Sequence, residues 1–331
     1  MDTFPIPARS LERYFKINGR TLEKNYKEHL SGFREWEQAD HASDWILLPE
    51  NMGENLSIDE SMHQKDLFTF ISNKDGHGKK GTLIAVVRGT KASEVVKVLM
   101  QIPEDKRIAV KEVTMDYSDS MHAIVEVAFP KADITIDVFH VIKNQCDCLD
   151  EMRMRFKRKA ISELAKEKRE FNKKKKLRKK ARASYRKKHP KKRGERRGRP
   201  RKRANEQFKP KGLSTGDTKV ELFTRARYIL PKSGEKWSDR QKAKANLLFE
   251  LVPKLKEAYS LVCELRCIFK NKKLTRDTAK EKLKVWYKNV SESKIKELIA
   301  AKNTLKAKEN EVLNYFVNYA TNAAAESLNS K

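Results

Sequence analysis

Two aspartates, Asp59 and Asp116, stand at the ends of apolar runs, and a third, Asp137, sits within another. Paired carboxylates at neighbouring strand ends repel each other unless a cation lies between them, and such a pair suits Mg²⁺ or Mn²⁺. The plainer alternative is that they are ordinary strand-end aspartates paired with Lys or Arg. The choice between the two depends on the elements that carry them.

Those elements read as follows. In Leu56-Ser57-Ile58-Asp59-Glu60, Leu56 and Ile58 share one strand face and Asp59 falls on the other. Leu67 to Ser72 is a second run, ending in the turn residues Asn73-Lys74-Asp75-Gly76, and Thr82 to Val87 is a third that stops at Gly89. The pattern then changes period. Ser93 starts a helix that stops at Pro103, Ile108 to Met115 is a strand delivering Asp116, Ser118 caps a second helix, and Ile134 to Phe139 is a fifth strand carrying Asp137. Three antiparallel strands followed by αβαβ predict a mixed five-stranded sheet. Its parallel strands end along one edge, where ligands bind.

The wording of the motifs goes further. Leu56-Ser57-Ile58-Asp59-Glu60, Lys80-Gly81-Thr82, Val113-Thr114-Met115-Asp116, Phe129-Pro130-Lys131-Ala132 and Ile136-Asp137-Val138-Phe139-His140-Val141 occur in that order. Together they resemble the catalytic core of insertion-sequence transposases of the DDE type. Thr321-Asn322-Ala323-Ala324-Ala325-Glu326-Ser327-Leu328-Asn329 is similar to the segment carrying that family's third acid. The resemblance runs from about Ser10 to the C-terminus. It implies an RNase H-like fold and a site of Asp59, Asp116 and Glu326 holding two Mg²⁺ or Mn²⁺ ions, with Asp137 and His140 as supporting residues. It also implies double-stranded DNA as partner, both transposon ends and target, and a dimer acting on two ends. Some relatives keep a fuller DNA-binding region as a separately encoded N-terminal protein.

Composition fits a polyanion partner. The 331 residues carry 74 Lys and Arg against 45 Asp and Glu, a net charge of +29. Between Arg153 and Arg203 there are 28 basic and 4 acidic residues, so nearly all the excess lies in one segment. Lys173, Lys174, Lys175 and Lys176 lie within it, with Phe156, Phe171 and Tyr185 interleaved. Such a run lies along a phosphate backbone through sequence-blind counterion release; the bland alternative is a solvated tail. Arg197-Gly198-Arg199-Pro200-Arg201, followed by Lys202 and Arg203, looks like an AT-hook whose arginines enter an A·T minor groove, with plain phosphate contact as the alternative. No apolar run approaches the ~20 residues that span a bilayer. The spacings Cys146-x-Cys148 and Cys263-x3-Cys267 carry little zinc signal, and a cytoplasmic, nucleoid-associated bacterial protein is expected.

The predicted organisation has four parts. Residues 1–50 form a helical module, with helices over Ala8 to Phe15 and Thr21 to Gln38. Residues 51–145 and 319–331 form the catalytic core, with Asn322 capping a helix that bears Glu326. Residues 146–217 are a basic, largely extended or frayed DNA-binding segment, because its lysine-rich face has little to bury. Residues 218–318 form an inserted helical bundle, kinked at Pro253, with Trp237 and Trp286 in its core. The expected activity is metal-dependent strand cleavage and transfer on DNA. The alternatives are a structure-selective nuclease on the same fold, or a non-catalytic basic protein that packages DNA.

Overall fold

A computed structural model describes residues 6–63, 65–77, 79–190, 194, 206–319 and 321–322. The chain divides into two compact units. The first comprises Met1–Val141, Phe269–Lys282 and Leu305–Lys331, and the second Ile142–Ile268 and Leu283–Thr304.

The first unit is built on a mixed sheet. Its strands are β1 (Trp45–Leu47), β2 (Asn55–His63), β3 (Asp66–Asn73), β4 (Leu83–Arg88), β5 (Glu112–Met115) and β6 (Asp133–Ile136), in the spatial order β1-β4-β3-β2-β5-β6. The meander β2-β3-β4 is antiparallel, and β5 and β6 run parallel to β2. The expected five strands are present in the expected order. A sixth, β1, is added by antiparallel pairing with β4 inside a stretch expected to be helical. Trp45-Ile46-Leu47 is β-prone, and an open sheet edge offers it partners that a short helix cannot.

The connections follow sequence chemistry. Helices α1 (Ala8–Phe15) and α2 (Gly19–Asn25) come first, with Asn18 capping α2 through its side chain. The helix expected over Thr21 to Gln38 is cut short: after α2 a π-helical turn ends at Leu30, and Gly32 takes a left-handed conformation. Two helices, α3 (Ala92–Leu99) and α4 (Glu104–Ile108), lead to β5, so the strand expected from Ile108 begins only at Glu112. Ser118 caps α5 (Asp119–Ala128) by accepting from the Met121 amide. The sheet core is dry, with Leu56, Ile58, Ile71, Val113, Met115 and Ile136 fully buried.

The long helix α6 (Val138–Lys188) departs most from expectation. The segment from residue 146 was expected to be frayed or extended, yet it is helical through Lys188. Burial of Leu149, Met152 and Ala160 anchors its first half, and propagation from a formed helix is cheap. Its later half is held by the returning chain. Phe171 packs on Phe208, Lys175 Nζ donates to the Glu206 carbonyl at 2.8 Å, and Arg178 pairs with Glu206.

The rest of the second unit is a helical bundle containing α7 (Lys219–Arg225), α8 (Asp239–Leu251) and α9 (Pro253–Lys270). Pro253 does more than kink the helix; the helix ends at Leu251 and a new one starts on the proline. Trp286 is buried and donates its indole N–H to the Leu261 carbonyl, and Trp237 donates to that of Ile229, so both are core residues. Helices α10 (Arg276–Ser293) and α11 (Lys296–Ala307) follow, then α12 (Glu309–Leu313) and α13 (Tyr315–Asn318). The last two belong to the sheet unit, although the inserted bundle was expected to continue to residue 318. Asn314 donates to the Ile134 carbonyl and Asn318 to the Glu112 carboxylate, so these helices lean on β6 and β5.

Candidate active site

Register brings the aspartates together. Ser57 pairs with Thr114, and continuing β2 and β5 two residues beyond that pair sets Asp59 beside Asp116. Met115 pairs with Ile136, so one further step sets Asp116 beside Asp137. Asp116 and Asp137 therefore follow directly on the carboxyl ends of β5 and β6, while Asp59 lies midway along β2, where it pairs with Phe70. The Asp137 amide still donates to the Met115 carbonyl at 2.8 Å, which ties the last two strand ends together.

The sequence placed Asp137 and Phe139 within a strand. In the structure β6 stops at Ile136 and α6 starts at Val138, because the Asp137 carbonyl accepts from the amides of His140 and Val141. His140 thus stands on the first helical turn, three residues after Asp137 and on the same side of the helix. Its Nε2 lies 3.0 Å from Asp116 Oδ1. Asp116, Asp137 and His140 offer ligand atoms all within 4.8 Å of one another, and Asp137 is only 2% exposed. Two carboxylates and an imidazole at that spacing fit a divalent cation.

Asp59 is half-buried, and its Oδ1 accepts from the Glu60 amide at 2.8 Å. Burial, and then the charge of Asp59, raise the Glu60 carboxyl above its ordinary value. Glu326 and the AT-hook residues Arg197, Arg199, Arg201, Lys202 and Arg203 lie outside the described residues. The helix that Asn322 was expected to cap lies outside the described residues, but the Asn322 side chain itself bonds to β2. Its Oδ1 accepts from Ser57 Oγ at 2.7 Å and its Nδ2 donates to the Ile58 carbonyl, which holds the chain against β2 one to two residues before Asp59. The polar pair Ser57 and Asn322 is buried, and nothing in the local pattern of either residue announced it.

Packing around the edge restrains it. The Tyr117 hydroxyl is buried with no hydrogen-bond partner among the described residues, and burial, followed by the Glu311 charge, pushes its pKa far up. Glu311 on α12 pairs with His122 on α5 at 3.0 Å, and Lys308 pairs with Asp119. At the other end of β5, Lys74 bonds both Glu112 and Thr114.

The four lysines Lys173 to Lys176 lie on α6. Lys173, Lys174 and Lys176 are exposed, while Lys175 is half-buried through its bond to Glu206. Of the interleaved aromatics, Phe156 stacks on Phe223 and Phe171 packs on Phe208, so both rings have protein partners; Tyr185 is exposed and stacks on His189. The four cysteines are free thiols, and among the described residues the only cluster of metal-ligating side chains is the one at the strand edge. Burial raises the Cys148 thiol to about 11, with the neighbouring acidic groups adding to it, which leaves a thiol rather than a thiolate. No helix among the described residues is long and apolar enough to cross a membrane.

Fold and edge together define an α/β protein that gathers carboxylates where parallel strands end, and that carries a strongly cationic helix. The DDE_Tnp_ISL3 family model, described as transposase, matches residues 56–331, and the chain belongs to this family of insertion-sequence DDE transposases. No curated protein and no solved structure matches the chain significantly.

Proposed function

We propose that this transposase cleaves DNA at transposon ends and joins the freed 3′-hydroxyl to target DNA, using an RNase H-like core. The observation that carries the reading is the grouping of Asp116, Asp137 and His140 just beyond the carboxyl ends of β5 and β6, next to the strand β2 that bears Asp59. The order β4-β3-β2-β5-β6 supports the RNase H-like core, with β1 as an addition at the edge.

In this reading Asp59, Asp116 and Glu326 are the catalytic acids. Asp59 stands centrally, with Asp116 completing one cation site and Glu326 the other. Bound there, a pair of Mg²⁺ or Mn²⁺ ions supplies activation of the attacking water or 3′-hydroxyl and stabilises the leaving oxygen. The chain's own contribution is placement. Asp59 belongs to the body of β2 and Asp116 directly follows β5, and the Asn322 bonds hold the chain to Ser57 and Ile58, beside Asp59. The exposed lysines of α6 add affinity for phosphates without reading sequence. Acting on two ends calls for a dimer, and a separately encoded DNA-binding protein would be a further partner in end recognition.

The test is incubation of the protein with its element's end DNA and a target duplex, in Mg²⁺ and in EDTA. Cleaved and joined products in Mg²⁺ alone support the reading. Cleavage without joining points to a nuclease, and binding without either product points to a packaging protein.

A further inference from the structure

We infer that Asp116, Asp137 and His140 form a mixed oxygen–nitrogen site that binds a divalent transition ion, with the His140 imidazole as a direct ligand and Mn²⁺ preferred over Mg²⁺. The inference deepens the proposed reading and rests on it only for the site's purpose.

The geometry comes first. All three ligand atoms lie within 4.8 Å of one another without any rearrangement, a spread that bonds of about 2.1 Å to one central ion nearly span. Asp137 and His140 are three residues apart across the start of α6, so one helical turn fixes both on the same side. The Asp137 amide bond to Met115 and the helix-opening bonds to its carbonyl hold that turn in place.

Charge gives the second argument. The cluster holds two carboxylates, one of them 98% buried, since Asp137 is 2% exposed, against one imidazole. A divalent ion placed among these donors favours the charged form of both carboxylates. The 3.0 Å approach of Nε2 to Asp116 Oδ1 is close to the separation of two adjacent ligands on one ion. The imidazole then ligates through Nε2 as the neutral tautomer that keeps its proton on Nδ1.

Ligand type sets the preference. Mg²⁺ favours oxygen and keeps its waters, while imidazole nitrogen suits transition ions. The sequence left His140 open as a ligand but favoured a structural hydrogen bond, and the continuous run from Ile134 to Phe139 concealed that α6 starts at Val138.

The test uses the full-length protein with Mn²⁺ alone and electron spin-echo envelope modulation, which detects ¹⁴N bonded to Mn²⁺. The wild type is expected to give histidine nitrogen modulation that disappears in His140→Gln while the circular dichroism spectrum stays the same. The ratio of Mn²⁺ to Mg²⁺ affinity should fall by about tenfold in that variant. Should His140→Gln misfold, wild type grown with ¹⁵N-histidine replaces it, and the modulation must move to the ¹⁵N frequency. Wild-type Mn²⁺ without nitrogen modulation, no bound Mn²⁺, or modulation that persists in His140→Gln each overturns the inference. A nitrogen signal from protein that neither cleaves nor joins DNA would sink the proposed function and leave this site standing.

Discussion

The acidic edge of the sheet and the basic helix α6 concentrate charge in opposite ways. At the edge Asp116 and Asp137 follow the ends of β5 and β6 and Asp59 lies within β2, on a sheet whose core is dry, with Leu56, Ile58, Val113 and Met115 wholly buried. Each position is fixed by ladder register and by core packing, so each residue has one place and one task. Along α6 the charge is spread over exposed side chains, and in the proposed reading Lys173, Lys174 and Lys176 are interchangeable contacts for a polyanion. Precise chemistry is therefore invested in buried register, and affinity in repeated exposed charge. Single substitutions should be severe in the first region and mild in the second.

The sharpest break of that contrast is loss of one of the three acids proposed as catalytic. Asp59→Ala, Asp116→Ala or Glu326→Ala should each lower strand cleavage by about 10³-fold or more, with end-DNA affinity retained. Radiolabelled end-cleavage and gel-shift assays on the same preparations decide it; near-normal cleavage by any one variant removes that residue from the site. Next in size is the core beneath. Leu56→Ala should cost about 3 kcal/mol in urea unfolding, as expected for a buried leucine in a close-packed core. Leu177→Ala on α6, where the side chain is 58% exposed, should stay within about 0.5 kcal/mol. Equal losses would mean that the two regions are not built differently.

Much of the sheet was legible because strands with one apolar face and turn-rich ends leave a period-two signal. The meander, the two crossovers and the position of Asp116 after β5 all carry it, whereas Asp59, expected at a strand end, lies midway along β2, which runs on to His63. Three features did not show. Strand β1 is only three residues long, too short for a period, and it exists because β4 offers a free edge. The start of α6 was hidden because Ile134 to Val141 is apolar enough for either element, and bonds to the Asp137 carbonyl settle it. The lysine run could be read as helical but was expected to fray, because its support comes from Phe208 and Glu206, 28 to 37 residues further along the chain. The Asn322 bonds to β2 join residues more than 260 positions apart, beyond any local pattern.

That long-range pair offers an intermediate effect. Asn322→Ala leaves Ser57 Oγ buried without its acceptor and frees the chain four residues before Glu326. We expect a loss of about 1–2 kcal/mol in stability. Cleavage should drop by about tenfold or more at unchanged DNA affinity, because the third acid is less well placed. A fall in stability with cleavage intact would make Asn322 a packing residue only. On the helix, replacing Lys173, Lys174, Lys175 and Lys176 together with Ala should flatten the slope of log affinity against log salt by about 3, with roughly 0.9 from each exposed lysine. Lys175, already bonded to Glu206, should add little. An unchanged slope would exclude this stretch from the DNA contact.

The smallest effect tests the acidic edge by itself. Burial, and then the neighbouring charge of Asp59, raise the Glu60 carboxyl above the ordinary 4.5. The folded protein therefore binds the Glu60 proton more tightly than the unfolded chain does. Its contribution to stability is complete below pH 4.5 and is lost as pH rises through the folded value. In Glu60→Gln this loss disappears, so the variant should gain on the wild type as pH rises from 4 to 7, followed as paired melting temperatures. Because Glu60 is largely solvated, the gain should be small. Adding Mg²⁺ should shrink it further, since a cation held by Asp59 offsets the charge that acts on Glu60. A difference that stays flat with pH would mean that Asp59 does not bear on its neighbour. One that appears with pH but ignores Mg²⁺ would mean that no cation sits at Asp59.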